Sequence, residues 1–564
     1  MGPSGAGKTT ALLAVAGRIK DDPRLAVSGE RYLDGAPITG DSQIPAAFVA
    51  QEDNFFPFMT VRETLDFRVQ LRLGSKLGRA ARNDVVERLM DSFNLKKSAE
   101  TIVGNAKVRG ISGGERKRLS IACEMISSPP MIVLDEPTSG LDSYQATQVV
   151  ATLRQMANDG KTVIAVVHQP SQVIFSMFDD LLLLAEGSLM YYGEVQNVRS
   201  HFDKLGYPCP AEVGTAEHII DLVSNTQDGE ASTERIGKIK AKAQAGAQQS
   251  VAPYHGKAGQ VARRFSRRQR RPAAGIFRQF HLLLKRSFGD IFRAKTALTI
   301  KVVQQVMTAL IYGGIYNLGT NQSSIQDRIG LLSLIAIGTT NLALAGNIRS
   351  FPKEKAVIID EISSSLYSTF PYFVAKALSE LPIIAGLSSI FGAILYPLVG
   401  LQPNKFLTFL GLGVLHSLAS QSVGLLLGAA SPSSDVALAL LPPTIVLNII
   451  FDGKNIAYEN TPWPLRWIPK MGLIRWGFEG LALNEFDGLT FDAAGPHRGP
   501  AVRTGAQALE RLGFDPGATV RRAAVSQGKI AAACWTLSFF ILSATQQKFA
   551  TMKKSDHGKK KKKE

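Results

Sequence analysis

The chain has 564 residues, of which 45% are hydrophobic and 20% charged, and its formal net charge is +17. It is too long for one ordinary domain of roughly 150 residues, too apolar for a disordered chain, and too poor in cysteine (three residues) for a disulfide scaffold. The positive charge leaves three classes open: a nucleic-acid binder, a membrane-surface binder, and a membrane protein with basic flanks.

The first pattern along the chain is a glycine-rich loop. Residues Gly2 to Thr10 match G-x-x-x-x-G-K-[ST], whose backbone N–H groups can surround phosphate oxygens because glycine has no Cβ. We expect Lys8 to reach the β and γ phosphates of ATP and the Thr9 hydroxyl to bind Mg²⁺. The apolar residues that follow predict a helix whose N-terminus faces the phosphates. The candidate nucleotide-binding residues here are Gly2, Ser4, Gly5, Gly7, Lys8, Thr9 and Thr10.

A second candidate anion site lies further along, at Ile111 to Ser120. The sequence Ser112-Gly113-Gly114 precedes a predicted amphipathic helix, so a hydroxyl and free N–H groups stand at a helix N-terminus.

An apolar run, Met131 to Leu134, is followed directly by two acidic residues. Four apolar residues are typical of a buried parallel strand, which would place Asp135 and Glu136 at its carboxyl end. Asp135 is expected to hold Mg²⁺ through water, and Glu136 to polarise the attacking water. The alternative is a strand that ends in a solvated acidic turn.

These motifs, in this order, resemble the ATP-binding cassette family. Ser112 to Gly114 resemble its signature loop, Ser139 to Asp142 its D-loop, and His168, after the apolar residues 163–167, its switch histidine. Gln51, after Phe48-Val49-Ala50, resembles its Q-loop glutamine; alone, neither Gln51 nor His168 would indicate a site.

The resemblance implies roles and a partner. His168 would contact the γ-phosphate, and Gln51 would contact Mg²⁺ and sense the membrane domain. It also implies a head-to-tail dimer in which each ATP lies between Lys8 of one subunit and Ser112 of the other, with Asp142 nearby. Hydrolysis then depends on electrostatic stabilisation and a positioned water.

Beyond the cassette the composition changes twice. From Glu234 to Lys301 there are 17 Lys and Arg against two acids, and the part up to about residue 275 reads as a mobile basic linker. Six apolar runs follow, each near the roughly 20 residues that cross a bilayer. They lie at 297–318, 328–348, 373–399, 405–430, 434–452 and 528–545. The alternative is that some are buried helices of a soluble domain.

The predicted fold is therefore an α/β P-loop ATPase domain followed by an all-α transmembrane domain of six helices. The boundaries are 1–230 for the cassette, 231–275 for the linker, 276–552 for the membrane domain and 553–564 for a polybasic tail, with an external loop near 454–525. The basic flanks predict that both termini are cytoplasmic, as does a turn carrying Arg349, Lys353 and Lys355 between the second and third spans. Because the excess charge lies in these flanks, no nucleic-acid partner is expected.

The order of domains and the membrane half resemble the G (White/brown) subfamily of half-transporters, including half-size plant members. The residues that carry this likeness are 351–356, 375–382, 460–469 and 474–480. It implies a homo- or heterodimer with another G-type half-transporter in a lipid bilayer, and a hydrophobic or amphipathic cargo such as a lipid, sterol or pigment precursor. Few ionisable residues interrupt the spans (Lys301, Lys376, Glu380 and His416), which argues against an ion or sugar relay.

Three departures from that family pattern affect the interpretation. The chain begins at the phosphate loop itself, and we expect a truncated gene model; otherwise ATP binding is impaired and the chain is a non-catalytic or regulatory partner subunit. The predicted external loop has no cysteine, so a covalent dimer is not expected. The sequon at Asn321 is expected to lie too close to the membrane for use.

Overall fold

The structure, a computed structural model, describes residues 1–29, 31–33, 36–37, 46–74, 77–224, 229–250, 272–454, 456, 461–492, 502–515, 517–545 and 549–550. The chain divides into two compact units. The first, the cassette unit, comprises Met1–Gly275, Ser363–Tyr367 and Gln547–Glu564. The second, the membrane unit, comprises Ile276–Ile362 and Ser368–Gln546. Each unit has its own hydrophobic core.

The cassette unit is an α/β domain. Its strands are β1 (Tyr32–Leu33), β2 (Ala36–Pro37), β3 (Ala46–Val49), β4 (Met131–Asp135), β5 (Thr162–Val166), β6 (Asp180–Ala185) and β7 (Ser188–Glu194). Its helices are α1 (Lys8–Ala16), α2 (Val61–Leu73), α3 (Arg79–Ser92), α4 (Gly113–Met125), α5 (Ser143–Asn158), α6 (Gln172–Phe175), α7 (Val198–Lys204), α8 (Thr215–Val223) and α9 (Gly229–Ser250).

A parallel sheet in the order β3-β4-β5 organises this unit. Met131 pairs with Ala46 on one side and with Thr162 on the other, so the carboxyl ends of all three strands meet at one edge. Every residue of β4 is buried, as expected for a central strand covered on both faces. The α/β fold predicted for this part of the chain is confirmed.

The basic linker prediction is partly wrong. Residues 229–250 form α9, and Ile236 and Ile239 are buried against the β6–β7 hairpin cluster. The segment is rich in alanine and lysine, which favour helix, and Glu234 pairs with Lys238 one turn later at 2.8 Å. The Arg263–Arg271 cluster lies outside the described residues.

The described part of the membrane unit contains helices and no β-strand. Its helices are α10 (Ile276–Arg293), α11 (Lys295–Ile315), α12 (Gln322–Ser363), α13 (Thr369–Val399), α14 (Phe406–Ala430), α15 (Ser434–Ile450), α16 (Ile468–Met471), α17 (Leu473–Phe486), α18 (Gly505–Arg511) and α19 (Val520–Ala544).

Five of these helices are long and apolar enough to cross a bilayer: α11, α12, α13, α14 and α19. The remaining predicted span, 434–452, is the 17-residue helix α15, which rises about 26 Å and stands at the short end of the range that spans a bilayer. Both α13 and α15 continue through their prolines. The predicted helical transmembrane domain is thereby confirmed.

The turn predicted around residues 349–355 is wrong, because α12 continues unbroken through Pro352 to Ser363. Two polar contacts support this extension. Lys355 Nζ donates to Ala429 O at 2.7 Å and so satisfies a carbonyl at the end of α14. Arg286 of α10 pairs with Glu361 at 2.7 Å, and both side chains are buried.

The predicted external loop contains structure of its own. Within its described residues, α17 is almost wholly buried. Glu485 near the end of α17 forms a buried ion pair with Arg328 of α12. Gln402 N donates to the other carboxylate oxygen of Glu485 at 3.3 Å. Three chain segments that are distant in sequence therefore meet at this end of the bundle. The polybasic tail lies outside the described residues.

Candidate functional site

The glycine-rich loop has the backbone that its sequence requires. Gly5 and Gly7 have φ of 78° and 85°, in the left-handed region that favours glycine. Gly2 lies against the hairpin, and a Cβ there would stand 2.0 Å from the Leu184 carbonyl oxygen. The loop therefore admits no side chain at Gly2.

The two ends of this loop are held together by its lysine. The Lys8 ammonium donates to the carbonyls of Gly2 at 3.0 Å and Pro3 at 2.8 Å, and the side chain is buried. Ser4 and Thr10 are exposed at the same end of α1. A cluster of N–H groups and one ammonium is thus arranged at the helix N-terminus, where phosphate binds favourably.

Thr9 and Asp135 come together across the sheet edge. The Thr9 hydroxyl donates to Asp135 Oδ1 at 3.2 Å. Burial raises the pKa of Asp135, the hydrogen bond from Thr9 opposes the rise, and the charge of Glu136 adds to it. A buried carboxylate beside a hydroxyl offers hard oxygen ligands of the kind that Mg²⁺ prefers. These residues therefore fit the metal that the sequence predicted.

Gln51 reaches the second carboxylate of the same edge. Its Nε2 donates to Glu136 Oε2 at 2.9 Å. Glu136 itself has a φ of 45°, an uncommon value for a residue other than glycine, and its N–H donates to Val166 O at 3.0 Å. His168 is exposed two residues beyond β5. Gln51, Glu136 and Val166, which follow or end the three parallel strands, are thus in contact at one edge of the sheet.

The Ser112 loop is a separate, capped helix start. Ser112 accepts from Glu115 N at 3.3 Å, and Glu115 accepts from Ser112 N at 2.9 Å, which forms a capping box. The Ser112 side chain is exposed. Within the described ranges no hydrogen bond joins residues 112–114 to residues 2–8.

Sequence reasoning missed two residues, Gln145 and Lys117, and the first of them holds this signature loop in place. Gln145 Oε1 accepts from Gly114 N at 2.8 Å. The N-terminus of α5, on which Gln145 lies, is capped in turn by Asp142, whose Oδ1 accepts from Gln145 N at 2.7 Å. Gly113 lies beside Leu141, where an added Cβ would stand 3.1 Å from Cδ2. The D-loop and the signature loop are therefore joined within one chain.

Lys117 is the other missed residue. Its ammonium is buried and forms an ion pair with Asp53 at 2.9 Å. It also donates to the carbonyls of Ala50 at 3.2 Å and Gln51 at 2.9 Å. In sequence it is one of three consecutive cations at 116–118, which usually form a solvated face, so no local signal separates it. It fixes the backbone of Gln51 to the signature helix α4.

A buried polar network lies in the membrane unit around His416. Its Nε2 lies 2.9 Å from Thr340 Oγ1, and its Nδ1 lies 3.1 Å from Gln527 Oε1. Gln527 Nε2 donates to Trp476 O at 3.2 Å. The chain of contacts joins α12, α14, α19 and α17. A Cβ on Gly477 would stand 2.5 Å from the imidazole, so the network requires glycine there.

Comparison with known proteins gives a family match for both units. The model for "ABC transporter" matches residues 1–139, and models for "ABC-2 type transporter" match residues 168–240 and 278–486. The chain is 39% identical to ABC transporter G family member 7 of Arabidopsis thaliana, over 97% of this chain and 77% of that protein.

Two animal proteins are also similar across both units. Protein white of Drosophila melanogaster is 32% identical over 86% of this chain and 72% of that protein. The broad substrate specificity ATP-binding cassette transporter ABCG2 of Sus scrofa is 30% identical over 96% of this chain and 86% of that protein. The predicted family resemblance is confirmed, and the chain belongs to the G family of ATP-binding cassette transporters, as an ATP-hydrolysing half-transporter embedded in a membrane.

Proposed function

We propose that this half-transporter binds ATP and Mg²⁺ at its glycine-rich loop, dimerises with another G-type half-transporter, and moves a hydrophobic or amphipathic molecule across a lipid bilayer. The observation that carries the proposal is the convergence at the sheet edge. Thr9 contacts Asp135 at 3.2 Å, and Gln51 contacts Glu136 at 2.9 Å.

Each residue of the loop has a separate role. The N–H groups of Gly2, Ser4, Gly5 and Gly7 surround the phosphate oxygens, and the Lys8 ammonium exchanges its two carbonyl partners for the β and γ phosphates. Thr10 lies in the first turn of α1, next to these groups. Thr9, Asp135 and the Gln51 side-chain oxygen would hold the metal. Bound Mg²⁺ would supply neutralisation of the phosphate charge.

Hydrolysis needs a positioned water. Glu136 polarises that water, and His168 contacts the γ-phosphate. The left-handed backbone of Glu136 directs its carboxylate beyond the end of β4, where the Gln51 amide fixes it. Catalysis is then mostly positioning and charge stabilisation, as in other phosphoryl transfers.

A second subunit completes the site. Ser112, Gly113 and Gly114 would contact the γ-phosphate bound to the partner's Lys8 loop, with Asp142 beside them. The support for this is that Ser112 is exposed and that the described residues 112–114 make no hydrogen bond to the loop of their own chain.

The cargo class is supported by the character of the spans. Helix α11 exposes Ile300, Met307, Leu310 and Ile315, all apolar. A charged or strongly polar cargo would need a lined aqueous path of ionisable groups, and such groups are few in the described spans. A lipid-, sterol- or pigment-like molecule fits these surfaces.

The cassette then extends through α9 to residue 250, residues 251–275 connect it to the membrane domain at 276–552, and the basic tail follows at 553–564. Both termini are then on the cytoplasmic side, because the basic residues flank the first and last spans. The connection 454–525 lies on the opposite side.

The test is ATPase activity of the purified full-length protein in lipid nanodiscs. Wild type should turn over ATP in a vanadate-sensitive manner, and Glu136→Gln should lower kcat by at least about 100-fold. A matched control is Glu186→Gln, an exposed carboxylate on the β6–β7 turn with the same left-handed backbone. Equal turnover of wild type and Glu136→Gln would favour the second candidate function, a non-catalytic partner subunit.

A further inference from the structure

We infer that Gly187, in the turn between β6 and β7, is a positioning residue for phosphate binding. Its N–H fixes the peptide group that joins Ala6 to Gly7, and this holds the Gly7 N–H in the direction that a phosphate oxygen needs. The inference rests on the proposed binding of ATP at the glycine-rich loop, to which it adds a support from a distant part of the chain.

The hairpin of β6 and β7 lies against the glycine-rich loop at two places. Gly187 N donates to Ala6 O at 3.3 Å, near the end of the loop. At its start, Met1 N donates to Leu182 O at 2.6 Å, and Leu184 N donates to Met1 O at 3.0 Å. The hairpin is therefore the surface on which the loop rests.

The planar peptide group converts the contact of Gly187 into a direction for Gly7. In a trans peptide the C=O and the N–H point in opposite directions. Because the Ala6 carbonyl points at Gly187, the Gly7 N–H points away from the hairpin. The Gly7 carbonyl already accepts from Ala11 N at 2.9 Å, in the first turn of α1. Among the contacts of the described residues, the N–H is thus the backbone group of Gly7 left for a phosphate oxygen.

The conformational freedom of glycine at position 7 makes this support necessary. Its φ is 85°, and glycine adopts negative φ about as readily. Rotation of the Ala6–Gly7 peptide group by about 180° would carry φ to about −95°, which is also allowed. The rotated peptide would present the Ala6 carbonyl oxygen to the phosphates and repel them. The hydrogen bond from Gly187 therefore selects the orientation that binds, before the nucleotide arrives.

The turn can direct this N–H because of its own backbone. Ala185 pairs with Ser188, so Glu186 and Gly187 form a two-residue hairpin loop, and their φ values are 49° and 68°. Positive φ at both positions is characteristic of a type I′ turn, which favours glycine at the second position. The side chain of Glu186 is exposed, so only its backbone belongs to the support.

The hairpin is a firm support because it is packed on its other side. Leu183 and Met190 are fully buried, and Ile236 and Ile239 of α9 belong to the same hydrophobic cluster. Displacement of the hairpin relative to the loop would require repacking of this cluster, and close-packed interiors resist such changes.

The test compares two valine substitutions in the full-length protein in lipid nanodiscs. Gly187→Val and Gly160→Val both place a β-branched residue at a left-handed position, with φ of 68° and 85°, where an added Cβ meets nothing within 4 Å. The two variants therefore introduce similar backbone strain. Gly160 is the matched control because it precedes β5, at the edge of the sheet opposite the carboxyl ends of the strands.

Each variant is measured for KM and kcat with ATP and for equilibrium binding of radiolabelled MgADP. Gly187→Val should raise the KM for ATP and the Kd of ADP about five- to tenfold, as expected for one lost hydrogen bond to a charged oxygen, and leave kcat within about twofold. Gly160→Val should keep wild-type KM and Kd while lowering the Tm of the cassette as much as Gly187→Val does. Gly187→Asn should restore binding, because asparagine tolerates the left-handed region.

Three results would overturn the inference: equal KM in Gly187→Val and Gly160→Val, a KM in Gly187→Asn as high as in Gly187→Val, and a loss confined to kcat. If Gly187→Val does not fold, Gly187→Ala against Gly160→Ala decides in the same way, with an expected rise in KM of about threefold. Absence of ADP binding in wild type counts against the proposed function, whereas binding without these differences counts against the role of Gly187 alone.

Discussion

Replacing Lys117 by methionine should damage both the stability of the cassette and its turnover. The side chains of Lys117 and Asp53 are 4% and 8% exposed, so the substitution leaves a buried carboxylate without its cation. Breaking such a pair on one side costs about 3–5 kcal/mol. Burial raises the pKa of Asp53, so this carboxyl takes up a proton more readily than a solvated one, which favours the lower end of that range.

A loss of about 3 kcal/mol corresponds to a fall of about 6–12 °C in the Tm of a unit of this size. All four tryptophans lie in the membrane unit, at 463, 467, 476 and 535, so their fluorescence reports that unit alone. Unfolding of the cassette is therefore best followed by hydrogen exchange of α4 during a temperature ramp. Lys97→Met, on an exposed lysine of the same unit, is the matched control.

Turnover should fall for a separate reason. Lys117 donates to the backbone carbonyl of Gln51, and the side-chain amide of Gln51 donates to Glu136. Loss of the Lys117 ammonium should therefore lower kcat about tenfold and leave the KM for ATP near the wild-type value. Adding Asp53→Asn removes the orphaned charge and should recover part of the Tm but not kcat. The reasoning is refuted if Lys117→Met resembles Lys97→Met, or if KM rises while kcat is unchanged.

Two further predictions concern pH and packing. Because burial raises the pKa of Asp135 and only the ionised carboxylate binds a cation, apparent Mg²⁺ affinity should weaken as pH falls through that raised pKa, by up to about tenfold per unit. Asp135→Asn should flatten this profile in a Mg²⁺ titration of ATPase rate, and an unchanged slope would contradict the assignment. Gly477→Ala should displace the His416 ring and lower the Tm read by tryptophan fluorescence by several degrees. Gly386→Ala, where a Cβ meets nothing within 4 Å, should not, and equal shifts would contradict the packing argument.

The nucleotide-binding edge could be predicted from sequence because its signals are local. Each of its motifs predicts the backbone conformation of its own few residues. The motifs are the glycines of the phosphate loop, the apolar run that ends in Asp135 and Glu136, and the serine before a helix. Parallel pairing of β3, β4 and β5 brings Gln51 and His168, which follow β3 and β5, to the same edge as the carboxylates.

What sequence could not supply depends on distant partners. Pro352 and the cations around it indicate a turn, yet Lys355 and Glu361 find partners 74 and 75 residues away and the helix continues. Lys117 belongs to a run that reads as solvated, and only the fold buries it against Asp53. The contact between the β6–β7 turn and the phosphate loop likewise exists only in the fold, so no window of sequence contains it.

The unbroken course of α12 has a mechanical consequence. A proline within a helix removes one hydrogen bond and usually creates a hinge. Beyond Pro352, however, Lys355 donates a hydrogen bond to the end of α14, and Glu361 forms an ion pair with α10. Bending of α12 at this point would have to break both contacts. At 42 residues the helix is about 63 Å long, about twice the hydrocarbon thickness. It therefore acts as a stiff lever: a tilt of about 5° displaces one end by about 5 Å relative to the other, without any change in its own conformation.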